Sequence, residues 1–402
     1  MRRSAVAIAG LAAAALLVPE AGAGAERESG AAPPIAPSTA SARPTTAPAP
    51  AAALRAAPMR VTTVLGGLDH PWDIAFISSR QFLFTERARR TISIGTLSGG
   101  KRVVGRARGI WASGETGLMA LELAPDFART GAFYTCHGYR SGSTTDVRVA
   151  RWRLNAARTR ARLVTTIVRG LPATTGRHGG CALAFGAGRT LFIGTGDAVV
   201  GRNPQRLRSG GGKVLRVDAR TGRGLRTNPY AKSRYAMKRR VYTYGHRNVQ
   251  GLARRAGRMW SVEQGSSRDD EVNALFRKGN YGWNPVPGYN ESVPMTNHRL
   301  PGKQRSARWR SGRTTLATTA AAWLRGSVWG NRAGRVLAVT ALKAEQIRLL
   351  RFDKRGRLRG QSVALQGRYG RLRAITVAPG GALYVSTSNG NGADRILRVL
   401  PG

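Results

Sequence analysis

Acid is scarce in this chain. Twenty Asp and Glu stand against 66 Lys and Arg in 402 residues, a formal net charge of +46. Only eight of the basic residues are lysine, so nearly all of the excess is arginine. Such charge suits a densely negative partner, but the arginines are scattered through every segment. They lack the clustered stripe and interleaved aromatics of a nucleic-acid groove, so no specific nucleic-acid partner is expected. Nonspecific contact with anionic envelope polymers is expected instead. Cysteine is nearly absent: Cys136 and Cys181 are the two, with no zinc-ligand spacing. A bridge and two buried free thiols both stay open, since sequence does not place the Cα atoms within the ~7 Å that a disulfide needs. Long apolar runs are missing too. The one at residues 5–18 is shorter than the ~20 residues that span a bilayer. It follows Arg2-Arg3 and precedes Ala21-Gly22-Ala23-Gly24-Ala25, which reads as a secretory signal over residues 1–25. Residues 26–57, rich in Ala, Pro, Ser and Thr, read as a disordered spacer, leaving 58–402 as the folded domain. The mature protein is thus expected outside the cytoplasm, without a membrane span.

Helical periodicity is absent as well. Glycine is abundant, at 51 residues, and β-branched and aromatic residues come in short bursts, which favours an all-β fold. One pattern recurs: a polar or Gly-containing turn, then a short apolar strand centred on a large side chain. It appears at Gln81-Phe82-Leu83-Phe84-Thr85, Ala132-Phe133-Tyr134-Thr135 and Thr190-Leu191-Phe192-Ile193-Gly194. It returns at Met259-Trp260-Ser261-Val262, Arg335-Val336-Leu337-Ala338-Val339 and Ala382-Leu383-Tyr384-Val385-Ser386. Intervals of roughly 50–75 residues suit propeller blades with variable loops. Further strands such as Val214-Leu215-Arg216-Val217-Asp218 and Ile396-Leu397-Arg398-Val399-Leu400 fit between them. The pattern predicts a six-bladed β-propeller of four-stranded antiparallel blades.

The densest chemistry lies in residues 244–283. Tyr244-Gly245-His246-Arg247-Asn248 leads to a strand at Met259-Trp260-Ser261-Val262-Glu263, then Gln264-Gly265-Ser266. The acids Asp269-Asp270-Glu271 and the run Asn280-Tyr281-Gly282-Trp283 follow. Three adjacent carboxylates in so basic a chain, beside oxygen-rich loops and a guanidinium, point to a hard cation and an anionic or carbonyl-bearing ligand. The stretch reads as the fourth blade's contribution to a shared pocket.

Taken in order, the motifs resemble those of the soluble pyrroloquinoline quinone (PQQ) dependent glucose/sorbosone dehydrogenases. The resemblance runs from about residue 64 to 400 and opens on Gly67-Leu68-Asp69-His70-Pro71-Trp72-Asp73 with Thr85-Glu86-Arg87. It continues through Gly114-Glu115-Thr116-Gly117, His178-Gly179-Gly180 with Gly194-Thr195-Gly196-Asp197, and Gly212-Lys213-Val214-Leu215-Arg216-Val217-Asp218. The 244–283 motifs, Ala341-Leu342-Lys343 and Arg371-Leu372-Arg373 complete it. It implies a secreted six-bladed quinoprotein that oxidises an aldose-type sugar at its anomeric hydroxyl to the lactone.

The same resemblance assigns roles. His178 matches the general base, which suits an imidazole near neutral pH; His137 and His298 do not, and His246 looks like part of its turn. Lys343, Arg371 and Arg373 match the cations that hold the carboxylates of PQQ. The two arginines stand at i and i+2, on one face if the segment is a strand. Arg247 and Asn248 match residues at the reactive edge of the quinone, and Glu115 a residue beside the substrate. Calcium at the cofactor is implied on the backbone carbonyls of Gly265 and Ser266. Asp269, Asp270 and Glu271 are candidates for a second, structural calcium, or for pairing with arginines. Several positions depart from the pattern. Glu115 replaces Gln, Arg177 replaces Asp, Ser266 replaces Pro, and Ala374 stands where an acid is usual. Residues 318–322 lack the Pro-Ser-Gly pattern. These changes leave the cofactor framework in place and alter the substrate pocket. The sequence does not name the sugar or the electron acceptor. The alternatives are a non-catalytic propeller binding an envelope glycan or a protein, and a calcium-dependent lactonase.

Overall fold

The structure, a computed structural model, describes residues 58–402. The expected signal and spacer, residues 1–57, lie outside the described residues. The chain folds as an all-β propeller. In chain order, the innermost strands of its sheets are Pro71–Phe76, Leu118–Leu123, Gly180–Phe185, Val249–Arg255, Thr318–Trp323 and Leu372–Val377. Each packs beside the next, and the last beside the first, so they ring a common axis. Between neighbouring sheets lie apolar clusters, such as Ala182, Phe192, Val249 and Met259 between the third and fourth. This explains the recurring strand pattern. The second strand of a sheet is covered on both faces, so it is buried almost throughout around an apolar centre, as at Gln81–Glu86 and Thr190–Thr195.

One part of the expectation needs correction. Five sheets are four-stranded antiparallel blades, but the third has six strands. Its fourth strand, Val241–Tyr244, is joined in parallel by Gly279–Asn280, which pairs in parallel with Lys303–Gln304. The buried amide of Asn280 causes this. It donates to Gln205 Oε1 (2.9 Å) and the Pro301 carbonyl (3.0 Å), and its oxygen accepts from Gly282 N (3.0 Å). Gly245 makes the approach possible: its φ is +75°, and a Cβ there would overlap the Asn280 oxygen. Residues 244–283 are therefore shared between the third and fourth sheets, and are not a contribution of the fourth alone.

The ring closes by pairing the two ends of the described chain. Met59–Leu68 lies antiparallel to Asp394–Pro401 as the outer strand of the last sheet. Asp394 reinforces the seam, accepting from His70 N (2.8 Å), Gly390 N (2.9 Å) and Thr387 Oγ1 (2.7 Å). Cys136 and Cys181, left open by the sequence, form a disulfide with Cα atoms 5.6 Å apart. It ties the second strand of the second sheet to the innermost strand of the third.

A cavity of about 340 Å³ lies on the axis and is lined by Asp73, Glu122, Gln250 and Arg373 among others. Enclosure pushes the Glu122 carboxyl up to about 8, with nearby Asp73 adding to the rise. Glu122 thus keeps its proton in the fold at pH values where the unfolded chain releases it. Bound protons favour the folded state, so this contribution is lost as pH rises from about 4.5 to 8. Glu122→Gln should leave the melting temperature unchanged near pH 4 and raise it at pH 8 and above; an equal shift at both pH values would contradict this.

The disulfide closes a loop of 45 residues, and chain-entropy reasoning values such a link at about 2–4 kcal/mol. The double variant Cys136→Ala/Cys181→Ala should lose about that much in a urea denaturation series.

Candidate functional site

The polar site residues lie at one end of the ring, mostly on the segments that carry the chain from the outer edge of one sheet to the innermost strand of the next. Glu115, His178, Arg247 with Asn248, and Arg371 precede the second, third, fourth and last innermost strands. Gly265 with Ser266, and Lys343, sit on turns between the second and third strands of the fourth and fifth sheets. The fold thus gathers residues that are far apart in sequence.

His178 is buried. Its Nδ1 lies 2.9 Å from Asp197 Oδ1, and Nε2 has no protein partner among the described residues. Asp197 is fully buried and well supplied with donors. Trp283 Nε1 (2.8 Å) and the Tyr289 hydroxyl (2.7 Å) donate to Oδ2, and Val199 N (2.9 Å) donates to Oδ1. An acceptor-only carboxylate at Nδ1 keeps the ring proton there, so Nε2 is the free lone pair. The loop carrying Asp197 is fixed by buried Lys213. Its Nζ donates to the carbonyls of Asn203 (2.6 Å), Pro204 (3.0 Å) and Gly211 (2.6 Å). Burial draws the lysine pKa down, opposed by Asp197.

Around this pair runs a continuous network. Glu115 Oε2 accepts from His178 N (3.2 Å) and Asn248 Nδ2 (3.1 Å). The same Asn248 amide reaches Gln264 Oε1 (3.3 Å), and its oxygen accepts from Gly180 N (3.0 Å) and Gln250 Nε2 (3.1 Å). Gln250 Oε1 accepts from Arg373 Nη1 (2.7 Å), and the Arg373 guanidinium lies 3.6 Å over Trp72. Burial lowers the Arg373 pKa to about 9, with Glu115 opposing.

Three expectations change here. The Asn248 amide has all its hydrogen-bonding capacity met by protein, so it organises the floor of the site and has no free group for a ligand. Arg371 and Arg373 do not share a strand, because the strand begins at Leu372; Arg371 is exposed and Arg373 buried. The acids Asp269, Asp270 and Glu271 do not converge. Among the described residues, the one group of three potential ligand side chains is Asp69, His70 and Asp394. Asp270 is taken up by Gly265 N (2.9 Å) and Thr315 Oγ1 (2.8 Å), and Glu271 by Thr296 Oγ1 (2.9 Å) and Asn273 (3.2 Å). Burial, with Glu263 nearby, pushes the Glu271 carboxyl up to about 8.

Arg247 is buried, ion-paired to Glu291, and within reach of the Gln264 carbonyl (3.3 Å). Its backbone N–H donates to buried Glu263 (2.9 Å), which also takes His246 Nδ1 (2.9 Å). His246 is thus the structural residue the sequence suggests. His137 is also buried, and burial lowers its pKa to about 4. Sequence reasoning missed Tyr289 and Glu291, which lie in a long connection without periodicity. Asp197 could have been found from its motif.

Some of the unsatisfied buried polar atoms lie at this end. Arg87 Nε, Arg247 Nε, Arg373 Nε and the Ser266 hydroxyl are buried without partners. No protein donor among the described residues reaches the carbonyls of Gly265 or Ser266. Orphaned guanidinium donors suit an anionic ligand, and free carbonyls beside a hydroxyl suit a hard cation. The arrangement can therefore hold a polyanion and a cation next to a histidine with a free Nε2.

Comparisons with known proteins find relatives along nearly the whole described chain. The family described as Glucose / Sorbosone dehydrogenase matches residues 68–398. The aldose sugar dehydrogenase YliI of Escherichia coli is 27% identical over 368 residues, covering 87% of this chain and 95% of its own. The PQQ-bound aldose sugar dehydrogenase of Streptomyces coelicolor superposes with a TM-score of 0.72 at 28% identity, covering 86% of this chain and 98% of its own. A putative glucose dehydrogenase from Thermus thermophilus is 32% identical with a TM-score of 0.73, covering 85% of this chain and all of its own.

If Asp270 is a hydrogen-bond anchor, Asp270→Ala should destabilise the fold by about 2–4 kcal/mol by stranding buried donors. The loss should be the same with chelator as with calcium, measured by thermal melting; a loss seen with calcium alone would make Asp270 a ligand.

Proposed function

The chain belongs to the glucose/sorbosone dehydrogenase family, and from that premise we propose that it oxidises an aldose-type sugar at its anomeric hydroxyl to the lactone, using PQQ and Ca²⁺. The observation that carries the proposal is the buried His178–Asp197 pair with its free Nε2, set among unpartnered cationic donors. His178 Nε2 takes the hydroxyl proton, and Asp197 stabilises the imidazolium that forms. Bound PQQ supplies an electrophilic ortho-quinone that accepts the hydride from the same carbon. Lys343, Arg371 and Arg373 bind its carboxylates, and buried Arg373 contributes most because its charge is least screened. Arg247 places positive charge where negative charge develops. Glu115, held by Asn248 and the His178 N–H, borders the sugar. The Gly265 and Ser266 carbonyls hold the cation, which adds fixed positive charge. The third sheet, with its two added strands, counts as a blade in this reading, which makes the propeller six-bladed. The disulfide and the expected signal over residues 1–25 support action in an oxidising, extracytoplasmic compartment.

The test is to titrate the apo protein with PQQ and Ca²⁺, then follow dye reduction with an aldose panel. PQQ should bind at micromolar concentration or below, and at least one aldose should turn over. His178→Ala should lower the rate by about two to four decades while leaving PQQ binding intact. Arg373→Met should weaken PQQ binding about 10- to 100-fold. Absence of PQQ binding at micromolar concentration would overturn the reading. Binding without turnover of any aldose would favour a non-catalytic propeller.

A further inference from the structure

One loop reaches both of the groups assigned to chemistry. In the connection between Glu271–Ala274 and Trp309–Arg310, Tyr289 touches the His178–Asp197 pair, and Glu291, two residues on, pairs with Arg247. The loop is anchored independently of both contacts. Asn290 N donates to the Pro285 carbonyl (2.8 Å), and Arg268 Nη2 donates to the Ser292 carbonyl (2.8 Å). Underneath, Gly201 lies so close that a Cβ there would overlap the Gly288 carbonyl.

We propose that Tyr289 is a positioning residue that sets the basicity of His178 through Asp197. The proposal rests on the reading of His178 as the base. Its physical ground is the division of hydrogen bonds at Asp197. The Tyr289 hydroxyl has one proton, and it donates that proton to Asp197 Oδ2 at 2.7 Å; the oxygen also lies 3.0 Å from His178 Nδ1. Burial, and then the Asp197 charge, push the phenol well above its ordinary range, so it stays a donor. A charge-assisted bond to the carboxylate outweighs a neutral contact to the ring. By drawing on the Asp197 charge, Tyr289 reduces what that carboxylate offers to an imidazolium. Loss of that bond would leave more of the Asp197 charge to an imidazolium at His178. The other groups around the pair are Glu115 at the His178 N–H, Arg177 next in the chain, Lys213 behind Asp197, and Arg247 with Glu291 across Tyr289. None of these would change in Tyr289→Phe.

The test uses the cofactor-free protein. The titration of His178 is followed by imidazole nitrogen–proton NMR, which five histidines make assignable. Tyr289→Phe should raise the His178 midpoint by about half a unit to one unit, with the Nδ1–H tautomer retained. An unmoved or lowered midpoint would overturn the proposal. Gly201→Ala acts at a distance by pushing the loop outward, and should shift the midpoint in the same direction; displacement of the Tyr289 signals without such a shift would also overturn it. In the loaded enzyme, the acid limb of kcat/KM should move with the NMR midpoint. If the midpoint moves and the limb does not, Tyr289 still positions His178, and the assignment of His178 as base is what fails.

Discussion

The antiparallel pairing of Met59–Leu68 with Asp394–Pro401 holds the ring closed, and the geometry of the site depends on it. No single sheet contains a complete site. Glu115, His178, Arg247 and Arg371 precede four different innermost strands, and they meet because those strands share one axis. Asp394 adds a polar fastening to the apolar seam by gripping His70, which leads into the first innermost strand. A ring that opened there would strip the last sheet of its outer strand and loosen Arg371 and Arg373 from the rest of the site.

Among the described residues, most carboxylates serve several partners at once. Asp197 gathers a histidine, an indole, a phenol and a backbone N–H; Glu263 gathers His246, the Arg247 backbone and Asn273. Asp270 and Glu271 do the same for loops and strands beside them. Buried acids in this chain are therefore hubs for donors more often than partners of single arginines. A charge of +46 can coexist with an ordered polar interior because most guanidiniums remain in water, where like charges are screened.

Much of this was legible in the residues. The six apolar strands read from the sequence each fall in a different sheet as its second strand, since burial on both faces writes a run that composition alone can show. The resemblance singled out His178, and the structure buries it against Asp197. What was not legible depends on single side chains. The parallel additions to the third sheet follow from the Asn280 amide and the bare Cα of Gly245, and leave no alternation to read. The acidic triplet looked like a metal site because adjacency in sequence resembles convergence, yet its carboxylates turn to different partners. Asn248 looked like a ligand group, but its neighbours take up the whole amide. Tyr289 sits in a connection that carries no periodic signal at all.

The seam has a topological consequence. Gly402 N donates to the Pro58 carbonyl, so the described chain begins and ends at one spot on the rim. The order in which the sheets are synthesised is then nearly arbitrary. A short linker across that spot, with new ends cut in an exposed turn on the opposite face from His178, would give a circular permutant with the same ring. The site would be assembled from the same side chains in a different order along the chain. In this molecule the arrangement around the axis, and not the starting point of the polypeptide, is the inherited unit.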